Sequence, residues 1–387
     1  MSTWMARKKL AFIPVHRPNA FPPDDPVPAD WSSEILRRVF FDPAPSTGPN
    51  RSLRAYIQAA SSGRADLDAI VMPMQIIDKR DVPVDALEGQ FGAQLRGEGF
   101  DAAALVMLGQ PPTGTSIRGG FWARFDMSEG VGVWAMEFMH CLTDFDDLYP
   151  FDGNMGSFDE MTCSCGTHPS AYTKGAINWL DASAIVLHAG HGAAVAYDLH
   201  AVGLTQPPPS GRVAAVRIGS PVPYFMVEAR QKVDQFDANI PSEGVIVYRV
   251  QTTDPHGSAQ NATAPIRLLT PTALQVGQEF TAGDVKVRVT KALSGGFSIT
   301  VDDSLNAVGF VTDYEAERVD PDRPPGPNNP MIQTLEIDSM PGFLFTATGG
   351  PLYAAVVKNA RDHNRKVAVA YVTSGQQSGR IISVKLH

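Results

Sequence analysis

Trp134-Ala135-Met136-Glu137-Phe138-Met139-His140 reads as a helical segment carrying a metal-hydrolase motif with one member exchanged. In the pattern H-E-x-x-H, two imidazoles four residues apart lie on one helix face and hold Zn²⁺, while the Glu activates the bound water. Met136 stands at the first ligand position. Glu137 and His140 keep the register of base and second ligand. Asp146 falls where the extended pattern H-E-x-x-H-x-x-G-x-x-H/D supplies a third ligand. A catalytic zinc takes three protein ligands and leaves one position for water. The Met thioether is neutral and soft, suited to Cu(I) more than to zinc. The stretch therefore predicts a metal site damaged at one position, on a helix expected over Gly130 to Leu142.

Around this helix, 387 residues are enough for two or three domains, because single cores seldom outgrow roughly 250 to 300 residues. The 31 Pro and 34 Gly predict many turns and short strands. A net charge of −9 argues against nucleic acid or a polybasic membrane patch as partner, since both need clustered Lys and Arg. No apolar run approaches the roughly 20 residues that cross a bilayer, so a soluble chain without a transmembrane segment is expected. Arg7, Lys8 and Lys9 precede an apolar stretch too short for a signal peptide, and Leu10 to Val15 is expected as a core strand. Secreted and cytoplasmic locations both stay open.

Alternation of helix and strand is expected up to residue 182, with Ser52 capping a helix over Leu53 to Ala60 and Ala103 to Leu108 forming a buried strand. From 183 to 319 the texture turns to strands separated by turn signals, which predicts a β-sandwich or barrel. The Pro-rich stretch 320–330 is expected as a linker, and 331–387 as a small α/β unit with a helix over Leu352 to Asn364.

Several stretches together resemble the immune inhibitor A family of secreted bacterial zinc metallopeptidases. They are Ser52 to Tyr56, Ser61 to Arg64, Gly132 to His140, Asp147-Leu148-Tyr149, Gly166 to Tyr172, Tyr224 to Gln231 and the strand start Glu243-Gly244-Val245. They occur in the family's order and cover most of residues 10 to 300. The resemblance implies an α+β fold with a metzincin-like α/β domain over 1–182 and a β-sandwich-like region over 183–319; it does not extend to residues 320–387. It implies zinc held by His140 and Asp146, Glu137 as general base, and Met161 at the methionine turn beneath the metal. Two positions depart from the family: Met136, and Thr143 where a glycine usually turns the chain. A β-branched residue is costly at positive φ, so the local turn is expected to differ.

Three functions follow as expectations. The first is a pseudopeptidase, a hydrolase relative that binds peptide, protein or glycan without cutting it. The second is an active zinc endopeptidase whose site is completed by His140, Asp146 and a thiolate from Cys163 or Cys165; the alternative for those cysteines is a disulfide with Cys141, or plain packing. The third is a lectin-like or adhesive module. Asp144, Asp147 and Asp152, in a cluster with Asp146, Asp159 and Glu160, suit Ca²⁺, and equally suit a solvated acidic loop. Tyr172 is a candidate oxyanion donor or a packed structural residue. His188 and His200 are expected on one strand face with His191 on the other, and Asn261-Ala262-Thr263 is a formal glycosylation acceptor.

Overall fold

The computed structural model describes residues 3–16, 30–41, 49–77, 85–108, 115–116, 119–149, 154–188, 194–219, 223–251, 265–283, 285–303, 305–316, 332–337, 344–348, 366–375 and 378–386. The chain is a mixed helix and strand structure that divides into two compact units. One takes residues 1–187, 198–276 and 290–298, the other 188–197, 277–289 and 299–387.

The first unit opens with β1 (Ala6–His16), α1 (Trp31–Phe40), α2 (Leu53–Ala60), β2 (Ala65–Val71), β3 (Gln75–Ile76), α3 (Asp85–Gly97), β4 (Ala102–Leu108), β5 (Thr115–Ser116), β6 (Trp122–Asp126) and α4 (Val131–Thr143). The strands form one sheet in the order β2-β1-β4-β6-β5, with β3 also on β1. Four of these pairings are parallel and β5 runs antiparallel to β6.

Parallel strands covered on both faces read as continuous apolar runs, and β1 and β4 do so. Leu10, Phe12, Ala104 and Val106 pack in one core with residues of α1, α2 and α4. Ala11, Ile13, Ala103 and Leu105 pack in another with Leu87 and Leu95 of α3. Pro14 sits in a central strand, where a missing N–H is usually excluded. It is tolerated because β1 pairs β2 only as far as Phe12 and resumes with β3 at Val15, so the ladder on that side skips Pro14.

Next come α5 (Glu160–Cys163), α6 (Ala171–Ala176), β7 (Ile185–His188), β8 (Val195–His200), β9 (Arg212–Val213), β10 (Ala215–Ile218), β11 (Tyr224–Arg230), β12 (Gly244–Val250) and β13 (Ile266–Leu268). A five-stranded sheet has the order β13-β12-β11-β10-β7. Its Met226, Ile246 and Tyr248 belong to the same core as Trp134 and Phe138 of α4. The division expected between residues 182 and 183 therefore does not separate two cores.

β14 (Glu279–Ala282), β15 (Val285–Leu293) and β16 (Gly296–Asp302) join β8 and β9 in a second five-stranded sheet of order β14-β15-β16-β8-β9. The last strands are β17 (Leu305–Ala316), β18 (Ile332–Ile337), β19 (Leu344–Thr348), β20 (Lys366–Gly375) and β21 (Ser378–Leu386). They close a barrel of order β17-β18-β19-β21-β20, in which β17 pairs both β18 and β20, and β19 pairs β21 in parallel. The barrel thus takes strands from both sides of the Pro-rich stretch 320–330. That stretch and the helix expected over Leu352 to Asn364 lie outside the described residues.

Candidate functional site

Every residue of α4 from Trp134 to Thr143 is buried, as befits a helix that is apolar all round. Phe12, Phe125, Trp134 and Phe138 form an aromatic cluster that seats it on the sheet, with Phe125 and Trp134 stacked at 4.5 Å between centroids. Gly132 sets the approach on another side. A Cβ there would lie 2.2 Å from the Ser164 carbonyl oxygen, so the 164–166 loop rides directly on the first turn of α4.

The helix runs through Thr143, whose hydroxyl donates to the Met139 carbonyl. The left-handed residue is Asp144, at φ 59°. The strain foreseen at Thr143 is avoided by turning one residue later, on a residue whose short polar side chain tolerates that conformation.

His140 faces acceptors on both ring nitrogens. Nδ1 lies 2.6 Å from the Phe145 carbonyl and Nε2 lies 2.9 Å from Asp147 Oδ1. Asp147 thus occupies the place expected of Asp146, whose carboxylate instead accepts the Asp147 N–H at 3.1 Å. Two acceptors on one ring call for two N–H donors, the imidazolium form. Burial opposes that charge, yet Asp147 and the Phe145 carbonyl outweigh it and raise the His140 pKa.

Glu137, one turn back, is buried, and its pKa is raised by burial against the opposing pull of Ser116 and His140. Cys141 points to the same side. Its thiol is pushed up to about 12, by burial first and then by the Glu137 charge. An inert, buried thiol of this kind is no nucleophile.

Met136 packs in the hydrophobic core. Neither ring nitrogen of His140 is open to a metal in this arrangement, and the residues present do not fit a three-ligand zinc site. Among the described residues no three His, Cys, Asp or Glu side chains are grouped to hold a metal ion. Cys163 and Cys165 are joined in a disulfide with each other and Cys141 is free, which corrects both the thiolate-ligand and the Cys141-disulfide expectations. Their loop meets α4 at Gly132, and eight residues of helix place His140 about 12 Å further along the axis. Met161 is buried in the α4 core, and the Leu148 N–H donates to its carbonyl.

The acidic cluster separates into different roles. Asp144 caps α4, Asp147 holds His140, and Asp152 lies outside the described residues. Asp159 and Glu160, expected in a calcium-binding or solvated loop, are wholly buried. They serve the backbone of 161–173, where the 164–170 loop and the N-termini of α5 and α6 leave N–H groups that need acceptors from elsewhere. Asp159 accepts the Met161 and Ser170 N–H groups, each at 2.9 Å, and the Thr173 hydroxyl. Glu160 accepts the Thr167 N–H at 2.9 Å. From the β11 side, Glu228 accepts the Ala171 N–H at 2.8 Å and Asp237 the His168 N–H at 2.9 Å. Buried Arg230 ties this together, donating to Glu228, Asp237 and the carbonyls of Phe158 and His168. Burial raises Glu160 to about 8 and also raises Glu228. Sequence reasoning missed Glu228, Arg230 and Asp237; a charged pair two apart on an otherwise apolar strand, Glu228 and Arg230, was the available signal.

Tyr172 is buried in the first turn of α6, in the core, with its ring near Phe145. His188 meets Tyr197 and Asp303, His200 meets the Gln206 carbonyl at 3.0 Å, and His191 and Asn261 to Thr263 lie outside the described residues. Comparison with known protein families and with characterised proteins finds no match for this chain.

Proposed function

We propose that this chain is a peptidase-like scaffold that has exchanged its metal for an internal ion pair: a pseudopeptidase of the immune inhibitor A type that binds peptide, protein or glycan without hydrolysing it. The observation that carries the reading is His140, held on Nδ1 by Phe145 and on Nε2 by Asp147 where a zinc ligand would need a bare nitrogen. Met136 in the core supplies no substitute donor. Without a metal Glu137 has no polarised water to deprotonate. An antiparallel edge strand beside five parallel strands, with the motif helix following β6, supports a peptidase-like α/β domain. The test is peptide-library cleavage with added zinc. No turnover is expected, and zinc-dependent turnover abolished by Glu137→Gln would sink the proposal.

A glycan as ligand is favoured over nucleic acid by the net charge of −9. Closed five-stranded barrels serve as oligosaccharide platforms as well as oligonucleotide ones. A glycan array on the full chain checks this; binding to single-stranded DNA in its place would reverse the choice.

A further inference from the structure

Away from α4, the first unit holds a cavity of ≈190 Å³ between the end of α6 and the loop after β8. Trp179, Leu180, Val202 and Leu204 supply apolar walls, and Lys174 and His200 are polar members of its lining. Both are more than nine-tenths buried. A cavity of about 150 Å³ accepts benzene, so this one has room for a body the size of a leucine side chain.

The two polar groups are incompletely used. The Lys174 ammonium has three N–H donors, and among the described residues its hydrogen-bond acceptor is the Val202 carbonyl alone, at 2.8 Å. Val202 N–H is meanwhile bonded to Ala229, which fixes that carbonyl in place. His200 Nε2 faces the Gln206 carbonyl at 3.0 Å and so carries the proton. Its Nδ1 is left as a buried acceptor with no donor. A buried ammonium short of acceptors and a buried imidazole nitrogen short of a donor each cost free energy unless something from outside completes them. Arg64 and Asp181 pair on the solvent side of the same cavity, adding a second cation and a carboxylate.

We propose that this cavity is a binding site for a small zwitterion, an α-amino carboxylate with an apolar side chain. Its carboxylate accepts from Lys174, its ammonium donates to His200 Nδ1, and its side chain lies against Trp179, Leu180, Val202 and Leu204. The assignment is independent of the peptidase reading, because the cavity includes no residue of the α4 motif.

The test is titration calorimetry and thermal shift on the full chain with L-leucine, leucinol and 4-methylpentanoate. Leucine is expected to bind with Kd below about 1 mM and raise Tm. Leucinol, which lacks the carboxylate, and 4-methylpentanoate, which lacks the amine, are each expected to bind at least about tenfold more weakly, roughly one lost charged hydrogen bond. Lys174→Met should abolish leucine binding. Because Lys174 is buried and its loss could unfold the chain, Ala184→Phe provides the second arm, filling the cavity while leaving Lys174 and His200 in place. Absence of leucine binding to the unsubstituted chain overturns the proposal. So does equal binding of all three compounds, or binding that survives either substitution.

Discussion

His140, buried, and Asp147, partly exposed, form an ion pair across the turn that ends α4, with Nε2 2.9 Å from Oδ1. The sign of its pH dependence is fixed by the ring's raised pKa. A His raised above 6.5 on folding contributes stability that is fully present below 6.5 and lost as pH climbs through the folded value. Thermal melts from pH 5 to 9 should therefore show a falling segment that starts near 6.5. Asp147→Asn should flatten it, and an unchanged slope in that variant refutes the pairing.

Restoring the missing histidine should not be enough to restore the metal. Met136→His alone leaves His140 tied to Asp147 and Phe145, so near-stoichiometric zinc is expected only when Asp147→Ala accompanies it. Elemental analysis after zinc incubation and dialysis distinguishes the two variants. Full zinc loading of the single variant would mean the ion pair yields easily.

Glu160 predicts a second pH effect, on a different element. Its carboxyl is raised from 4.5 to about 8 by burial, so the unfolded chain releases this proton first. Stability from this group is greatest below 4.5 and falls as pH rises from 4.5 to 8. Glu160→Gln keeps an oxygen for the Thr167 N–H and removes the charge. It should be near neutral at pH 5 and stabilise by on the order of 4 kcal/mol at pH 8. Equal urea midpoints for the two proteins at pH 8 would contradict the assignment.

The contact at Gly132 is checked by steric bulk. Gly132→Ala places a methyl 2.2 Å from the Ser164 carbonyl and 2.3 Å from the Gly166 nitrogen, both backbone atoms that cannot rotate away. A loss of about 2 to 4 kcal/mol is expected from the forced displacement. Gly89→Ala, in α3 with nothing within 4 Å of the new methyl, should instead stabilise by up to about 1 kcal/mol. Chemical denaturation of both variants supplies the comparison.

Arg230→Met should cost about 3 to 5 kcal/mol, because it strands Glu228 and Asp237 without their cation. Denaturation midpoints measure it. A further substitution of Asp237→Asn in the same chain should recover part of the loss, since it removes one of the uncompensated charges.

Local pattern was enough for the helix over 131–143, the buried strands β1 and β4 and the Ser52 cap, whose side chain accepts the Ala55 N–H. These depend on neighbours three or four residues away or on unbroken apolar runs. Asp147 was not legible as the partner of His140, because a one-residue shift of the turn from Thr143 to Asp144 decides which carboxylate arrives. Glu160 and Asp159 looked like surface acids, since the backbone donors that bury them belong to a loop and to helix N-termini that local pattern does not connect. Glu228 and Asp237 serve that segment from about 60 to 70 residues away in sequence, and spacing alone cannot reveal such pairings. The cysteines pair two residues apart, a choice set by a loop geometry that composition does not encode.

The barrel's strand order bears on where the chain can be cut. A truncation at residue 319, the division suggested by the Pro-rich stretch, would keep the twelve residues of β17 and discard both strands that border them. Such a fragment would carry a bare β edge and invite self-association. Shortening the chain instead at Asp303 removes all five barrel strands together.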